Sequence, residues 1–202
     1  MAEQVFPTKG NLMKIKKSLE LAKTGFDLLD RKRNILVRET MNLIDQAQTI
    51  QGRIDATYQV AYAALQKANI TLGLVETVAE AIPEEDGLSI AYRSVMGVEI
   101  PTVTLERQPL RPHFGFRLTN RQLDEAYARF DDVKILTAEL AEIENSVYRL
   151  AQGIRKTQKR ANALKNIIIP RFEAQVKFIS DALEEKEREE FSRLKVIKSQ
   201  LD

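Results

Sequence analysis

The sequence has no cysteine and no tryptophan. Without cysteine there can be no disulfide, no thiol nucleophile and no cysteine-based zinc site. Eight glycines and six prolines in 202 residues leave the chain little punctuation, and aromatics make up only 6%. A many-turned β fold or a thick globular core would use more of all three. No apolar run approaches the roughly 20 residues that span a bilayer, and Met1 to Thr8 lacks the apolar centre of a secretion signal. The net charge of +2 is too small for a dedicated nucleic-acid binder. The expectation is a soluble, cytoplasmic protein with no direct membrane insertion.

Chemistry is also scarce. There is no glycine-rich loop to cradle a phosphate. The single histidine, His113, lies in a Pro-rich stretch without a base or metal partner. Asp181 to Glu190 holds six carboxylates with Lys186 and Arg188, which reads as a solvated helix face with local ion pairs rather than a metal site. No catalytic, cofactor-binding or metal-binding residue is expected.

What the chain does have is a long, regular apolar pattern. From Lys9 to Ala81 there is no proline. Leu12, Ile15, Leu19, Ala22, Phe26, Leu29, Leu36, Leu43, Ala47, Ile50, Ile54, Ala61, Ala64 and Ala68 recur at steps of three and four. Arg33, Thr40 and Thr57 are polar interruptions in that seam. A seam kept in register this long predicts a coiled-coil helix over 8–81, roughly 110 Å long. Thr8 is placed to cap its start. Ile82-Pro83 and Asp86-Gly87 are read as its stop.

The middle segment, 82–118, changes period towards two. Ile90, Tyr92 and Ser94 alternate with Ala91, Arg93 and Val95, Met96-Gly97 can turn the chain, and Val98 to Leu105 is rich in β-formers. A short β-hairpin is predicted, with Pro101 at an edge position, followed by a Pro-rich loop. A second helix is predicted over 119–201, with Thr119 and Gln122 at capping-box spacing. Its seam is Leu123, Ala126, Phe130, Val133, Leu136, Leu140, Ile143, Val147, Leu150, Ile154, Thr157, Ala161, Leu164 and Ile168, then Phe172, Val176, Ile179, Leu183, Phe191, Leu194 and Leu201. Pro170 lies inside this seam and should bend or loosen the helix.

Two narrow seams flanking a short non-helical segment predict a mainly α fold. The N- and C-terminal helices fold back as one elongated antiparallel two-helix coiled coil over 1–202, and residues whose numbers add to about 200 face each other. Gly52 and Gly153 would then share one level.

Basic residues cluster on this frame. Lys9 to Arg38 holds nine Lys or Arg against three acids, and Arg149 to Lys165 holds six and no acid. Arg31, Lys32, Arg33 and Arg38, with Arg155, Lys156, Lys159, Arg160 and Lys165, are expected to form a belt facing an acidic partner surface. Arg33 on the seam is also placed to fix register.

Three passages carry a resemblance. They are Gly25-Phe26-Asp27-Leu28-Leu29-Asp30-Arg31-Lys32-Arg33-Asn34-Ile35-Leu36 after Pro7-Thr8-Lys9, then Ser94-Val95-Met96-Gly97-Val98-Glu99-Ile100-Pro101. The third runs from Arg160-Ala161-Asn162-Ala163-Leu164 through Ile169-Pro170-Arg171 to Glu187-Arg188-Glu189-Glu190-Phe191. In this order they resemble the D-subunit family of the vacuolar/archaeal-type rotary ATPases. The resemblance implies a non-catalytic rotor shaft whose paired terminal helices enter a hexamer of A and B subunits. It implies that the F subunit of the central stalk and a funnel-shaped C/d subunit on the membrane ring are further partners. Partner contacts near the inner rod and β segment are expected at Ile54, Tyr58, Tyr62, Val95, Val98, Ile100, Tyr127 and Phe130. A stand-alone coiled-coil scaffold or tether is the alternative, and a nucleic-acid-binding rod a weaker one.

Overall fold

A computed structural model describes residues 6–73, 75–107, 109, 114–115 and 119–201. The order is helix α1 (Lys9–Leu72), short helix α2 (Glu76–Ala79), strands β1 (Leu88–Val95) and β2 (Val98–Leu105), and helix α3 (Arg121–Ala163). A π-helical turn (Leu164–Ile168) then leads into α4 (Ile169–Leu201). The mainly α fold with a β-hairpin in the middle is therefore as the periodicity predicts. His113 lies outside the described residues.

The helix ends follow capping chemistry. At the start of α1 the Asn11 N–H donates to Thr8 Oγ1 at 3.2 Å, as expected for an N-cap. The other end differs from the expectation: α1 stops at Leu72, not near Ala81. Gly73 takes φ +79° and its N–H donates to Asn69 O at 2.9 Å. This is the left-handed stop that glycine makes without steric cost. Pro83 follows the later helix α2 instead. The second long helix starts at Arg121 rather than Thr119. Its cap is Asn120, whose Oδ1 accepts from the Leu123 N–H at 3.0 Å, while Thr119 bonds back to Gly115 O. Asn caps at least as well as Thr.

The chain divides into two compact units. The terminal unit comprises residues 1–34 and 154–202. The hairpin unit comprises Ile35–Gly153. Within each, the N-terminal helix runs antiparallel to the C-terminal one. In the terminal unit Lys9 pairs with Glu187 at 2.9 Å, Lys23 with Glu173 at 2.8 Å, and Arg33 Nη1 donates to Gln158 at 3.0 Å. In the hairpin unit the Tyr62 ring meets Phe130 edge-on at 5.6 Å and Thr71 Oγ1 donates to Gln122 at 2.8 Å. Facing residue numbers thus add to between 189 and 196, not 200. The offset arises because α1 gives way at Gly73, earlier than the proline suggested. Gly52 and Gly153 therefore do not share a level.

The core is the seam. Of the sixteen buried apolar side chains among the described residues, all but Ile100 lie on the two predicted seams. Leu36, Leu150 and Ile179 are fully buried, and Ala61, Ala64 and Ala68 let α1 pack closely. The seam does not continue to the end of α4. Phe191 is 70% and Leu194 66% exposed, beyond Glu187, where Lys9 marks the first residue of α1.

The hairpin is joined by Met96-Gly97, with φ of 50° and 72°. Two positive φ values make the primed turn whose twist matches that of the strands. Strands β1 and β2 pair in register from Val95–Val98 to Leu88–Leu105. Pro101 sits opposite Tyr92. In a two-residue hairpin that pair lies between ladder bonds, so the missing N–H costs none.

Candidate partner interface

In the hairpin unit, the outer edge of β2 is closed by α3. Arg149 donates to Glu99 O at 3.3 Å, Ser146 Oγ to Pro101 O at 3.4 Å, and the Val103 N–H donates to Glu142 Oε2 at 2.7 Å. Glu142, Ser146 and Arg149 are one helix face, at steps of four and three. They meet every second residue of β2 because strand groups of that parity point away from β1. Gly153 completes the contact. A Cβ there would lie 2.7 Å from Val98 Cγ2, so only glycine admits the strand so close to the helix. At Gly52, by contrast, a Cβ would meet nothing within 4 Å.

The base of the hairpin is held by ions. Lys134 on α3 binds Glu85, just before β1, and lies 2.9 Å from Asp131. Arg107, just after β2, reaches Asp132 at 2.9 Å and Asp131 at 3.4 Å. Asp131 is the hub, with its side chain only 9% exposed. The bond from Lys134, then the one from the Gly87 N–H, lowers the Glu85 pKa. For Lys134 the largest single effect is desolvation, which lowers its pKa. The bonds to Glu85 and Asp131 together outweigh it, and the net shift is upward. Sequence reading missed this clamp. Its one local trace is the Asp131–Lys134 spacing of three.

The expected partner-contact residues fall into two groups. Ile54 and Ile100 are buried, at 8% and 0% exposure, and serve the core. Tyr58 stacks on Tyr62 at 5.7 Å, and Tyr62 is 53% exposed. Tyr127 sits edge-on to Phe114 at 6.1 Å. Val95 is half-buried and Val98 packs on Gly153. Tyr58 and Phe130 line an apolar groove of about 490 Å³ with Leu88, Leu105, Val133 and Ala141. Val133 was read from sequence as a seam residue and none of the last four as a partner contact; Ala141 is an unremarkable alanine until the strand is laid beside it.

The belt residues sit as follows. In the terminal unit Arg31, Arg155, Lys156, Lys159, Arg160 and Lys165 are exposed, and Lys32 is half-buried. Lys165 Nζ lies over the Phe26 ring at 5.9 Å. Arg33 is turned inward: it pairs with Asp30 at 2.7 Å as well as with Gln158. Arg38 is exposed but belongs to the hairpin unit. Charge divides sharply between the units. The terminal unit's sequence holds 20 Lys and Arg against 12 Asp and Glu, the hairpin unit's 11 against 17. The near-neutral total conceals a basic unit and an acidic one.

The sequence profile that describes the D subunit of ATP synthase matches residues 11–199. This chain belongs to that family. It is 46% identical over 199 residues to the V-type ATP synthase D subunit of Thermotoga neapolitana, covering 98% of each chain. It is 36% identical to the A-type ATP synthase D subunit of Methanosphaera stadtmanae, covering 97% of this chain and 94% of that one. The A-type D subunit of Thermococcus gammatolerans is 37% identical over 209 residues, covering 100% and 98%. Among the described residues, no helix is long and apolar enough to cross a membrane.

Proposed function

We propose that this chain is the non-catalytic central shaft of a V/A-type rotary ATPase. It couples ATP hydrolysis or synthesis in a hexamer of A and B subunits to ion movement through a membrane ring. The observation that supports it most is the seam. Nearly all buried apolar side chains serve the pairing of two helices, so almost every other side chain is left on the surface for surrounding subunits. An axle needs that arrangement, because paired helices resist bending.

On this reading the terminal unit enters the hexamer. Its basic belt, Arg31 and Lys32 with Arg155 to Lys165, faces acidic stator residues. Charge contacts act at a distance and let the shaft turn without deep interlocking. The exposed Phe191 and Leu194 on the last stretch of α4 suit an apolar collar around the shaft's end. The F subunit occupies the hairpin unit around Tyr58, Tyr62, Val95, Val98, Tyr127 and Phe130, and the funnel-shaped subunit seats the same end on the ring. The complex sits peripherally on the cytoplasmic side.

A pull-down with A and B subunits, with and without the F subunit, tests the assignment. A shaft is recovered at one copy per hexamer and one per F subunit. Recovery of the chain alone, or in variable ratio, supports a scaffold or tether instead.

A further inference from the structure

Pro170 lies inside a helical run that continues on both sides of it. Its ring crowds the carbonyl one turn back and supplies no N–H to it. The chain answers with the wide turn Leu164–Ile168, where the Ile169 N–H reaches back five residues to Leu164 O. Pro170 leaves the run one backbone donor short. No residue of the turn is buried, and Ile167 is 66% exposed.

The seam shows what the turn contains. Thr157 and Ala161 are buried and Leu164 half-buried. Continuing their alternating steps without a break would point Arg171 and Phe178 inward. Both are exposed, Phe178 by 61%, and their neighbours Phe172 and Ile179 face inward instead. The inward-facing set has moved by one residue between Leu164 and Phe172. The wide turn therefore holds a one-residue insertion in the heptad. On either side the helices are tied, by Arg33 to Gln158 and by Lys23 to Glu173. Between the ties, Gly25 faces Leu164 with room for ordinary contact only.

We propose that this turn is a torsional joint built into the C-terminal helix. A wide turn with a spare residue, one donor too few and nothing buried opens at lower cost than the seam turns beside it. Twist between Ala161 and Ile179 is taken up there, and the seam on each side keeps its register. The use of such a joint in rotation rests on the shaft reading. The joint itself does not.

Two measurements on the full chain test it. Amide exchange at Ile168, Ile169 and Arg171 is expected to be roughly tenfold or more faster than at Lys23 to Phe26 on α1. Deleting Ile167 together with Pro170→Ala restores an unbroken heptad and a full set of donors, and is expected to slow that exchange by about the same factor. Equal protection of the turn and its neighbours in the natural chain overturns the proposal, and this holds even where the deletion variant fails to fold. In assembled, ATP-driven complexes a bead on the shaft should show narrower angular fluctuations with the deletion variant. Rotation with unchanged fluctuations rejects the joint. A natural complex that does not rotate rejects the shaft reading, while the exchange result still decides the joint.

Discussion

Gly153 on α3 and Val98 at the start of β2 touch so closely that a single added methyl would sit 2.7 Å from Val98 Cγ2. The β-hairpin is thereby seated on the helix by a gap the size of a side chain, and three helix side chains close the strand edge beside it. Gly153→Ala forces Val98 or the strand to move. Overpacking of this kind costs about 1–3 kcal/mol, offset by about 1 kcal/mol of helix propensity. A net loss of up to about 2 kcal/mol is expected in denaturant unfolding, recovered in the Gly153→Ala/Val98→Ala pair. Gly52→Ala, with open space around it, should instead stabilise by about 0.5–1 kcal/mol.

The seam makes a second contrast. Leu36 is fully buried and Leu28 is 62% exposed on the same helix. Leu36→Ala should destabilise by about 2–5 kcal/mol, whereas Leu28→Ala should change stability by no more than about 0.5 kcal/mol. Equal effects in thermal unfolding would mean that the seam is not the core.

The clamp at the hairpin base predicts pH behaviour. Glu85 has a folded pKa below its ordinary 4.5, so its contribution is present above that value and is lost as pH falls through the lowered one. Lys134 has a folded pKa above 10.5, so its contribution is complete below 10.5 and is lost as pH rises through the raised value. Exchange protection of the Gly87 and Glu106 amides should therefore be flat across neutral pH, after correction for the intrinsic rate, and fall at both extremes. Lys134→Met should remove the alkaline dependence and weaken the acid one, where the Gly87 N–H still holds the Glu85 carboxylate. An unchanged profile in that variant would show that the clamp does not hold the hairpin.

For the belt, Lys159→Glu with Arg160→Glu reverses two exposed charges that make no ion pair within the described chain. Coupled ATPase activity of the assembled complex should fall several-fold at low salt, with the difference narrowing at high salt where screening is strong. Unchanged activity and assembly at low salt would remove the belt from the mechanism.

The regular parts were legible because they repeat. A long 3–4 seam is a redundant signal, and neither Arg33 nor Thr157 disturbed it; Arg33 finds Asp30 and Gln158 within reach. Alternation and Met96-Gly97 gave the hairpin in the same way. What escaped was set by single residues or by distant neighbours. Gly73 stops α1 through one left-handed conformation, and nothing in its surroundings distinguishes it from Gly25 or Gly52 in a helical run. Asn120 and Thr119 are both good caps, and the choice depends on where the chain arrives. The hairpin clamp joins Glu85 and Arg107 to Asp131, and such pairing has no local period. Pro170 signalled trouble but not its form: the apolar seam already steps from Ile168 to Phe172 in the sequence, and the structure adds the wide turn that takes up the extra residue.

The claim that the chain is a rotating axle is tested most directly by watching it. With the A/B hexamer fixed to a surface and a bead attached to this chain, ATP should drive continuous rotation in one direction, in step with hydrolysis. A bead that stays still while the hexamer hydrolyses ATP at full rate would contradict the account.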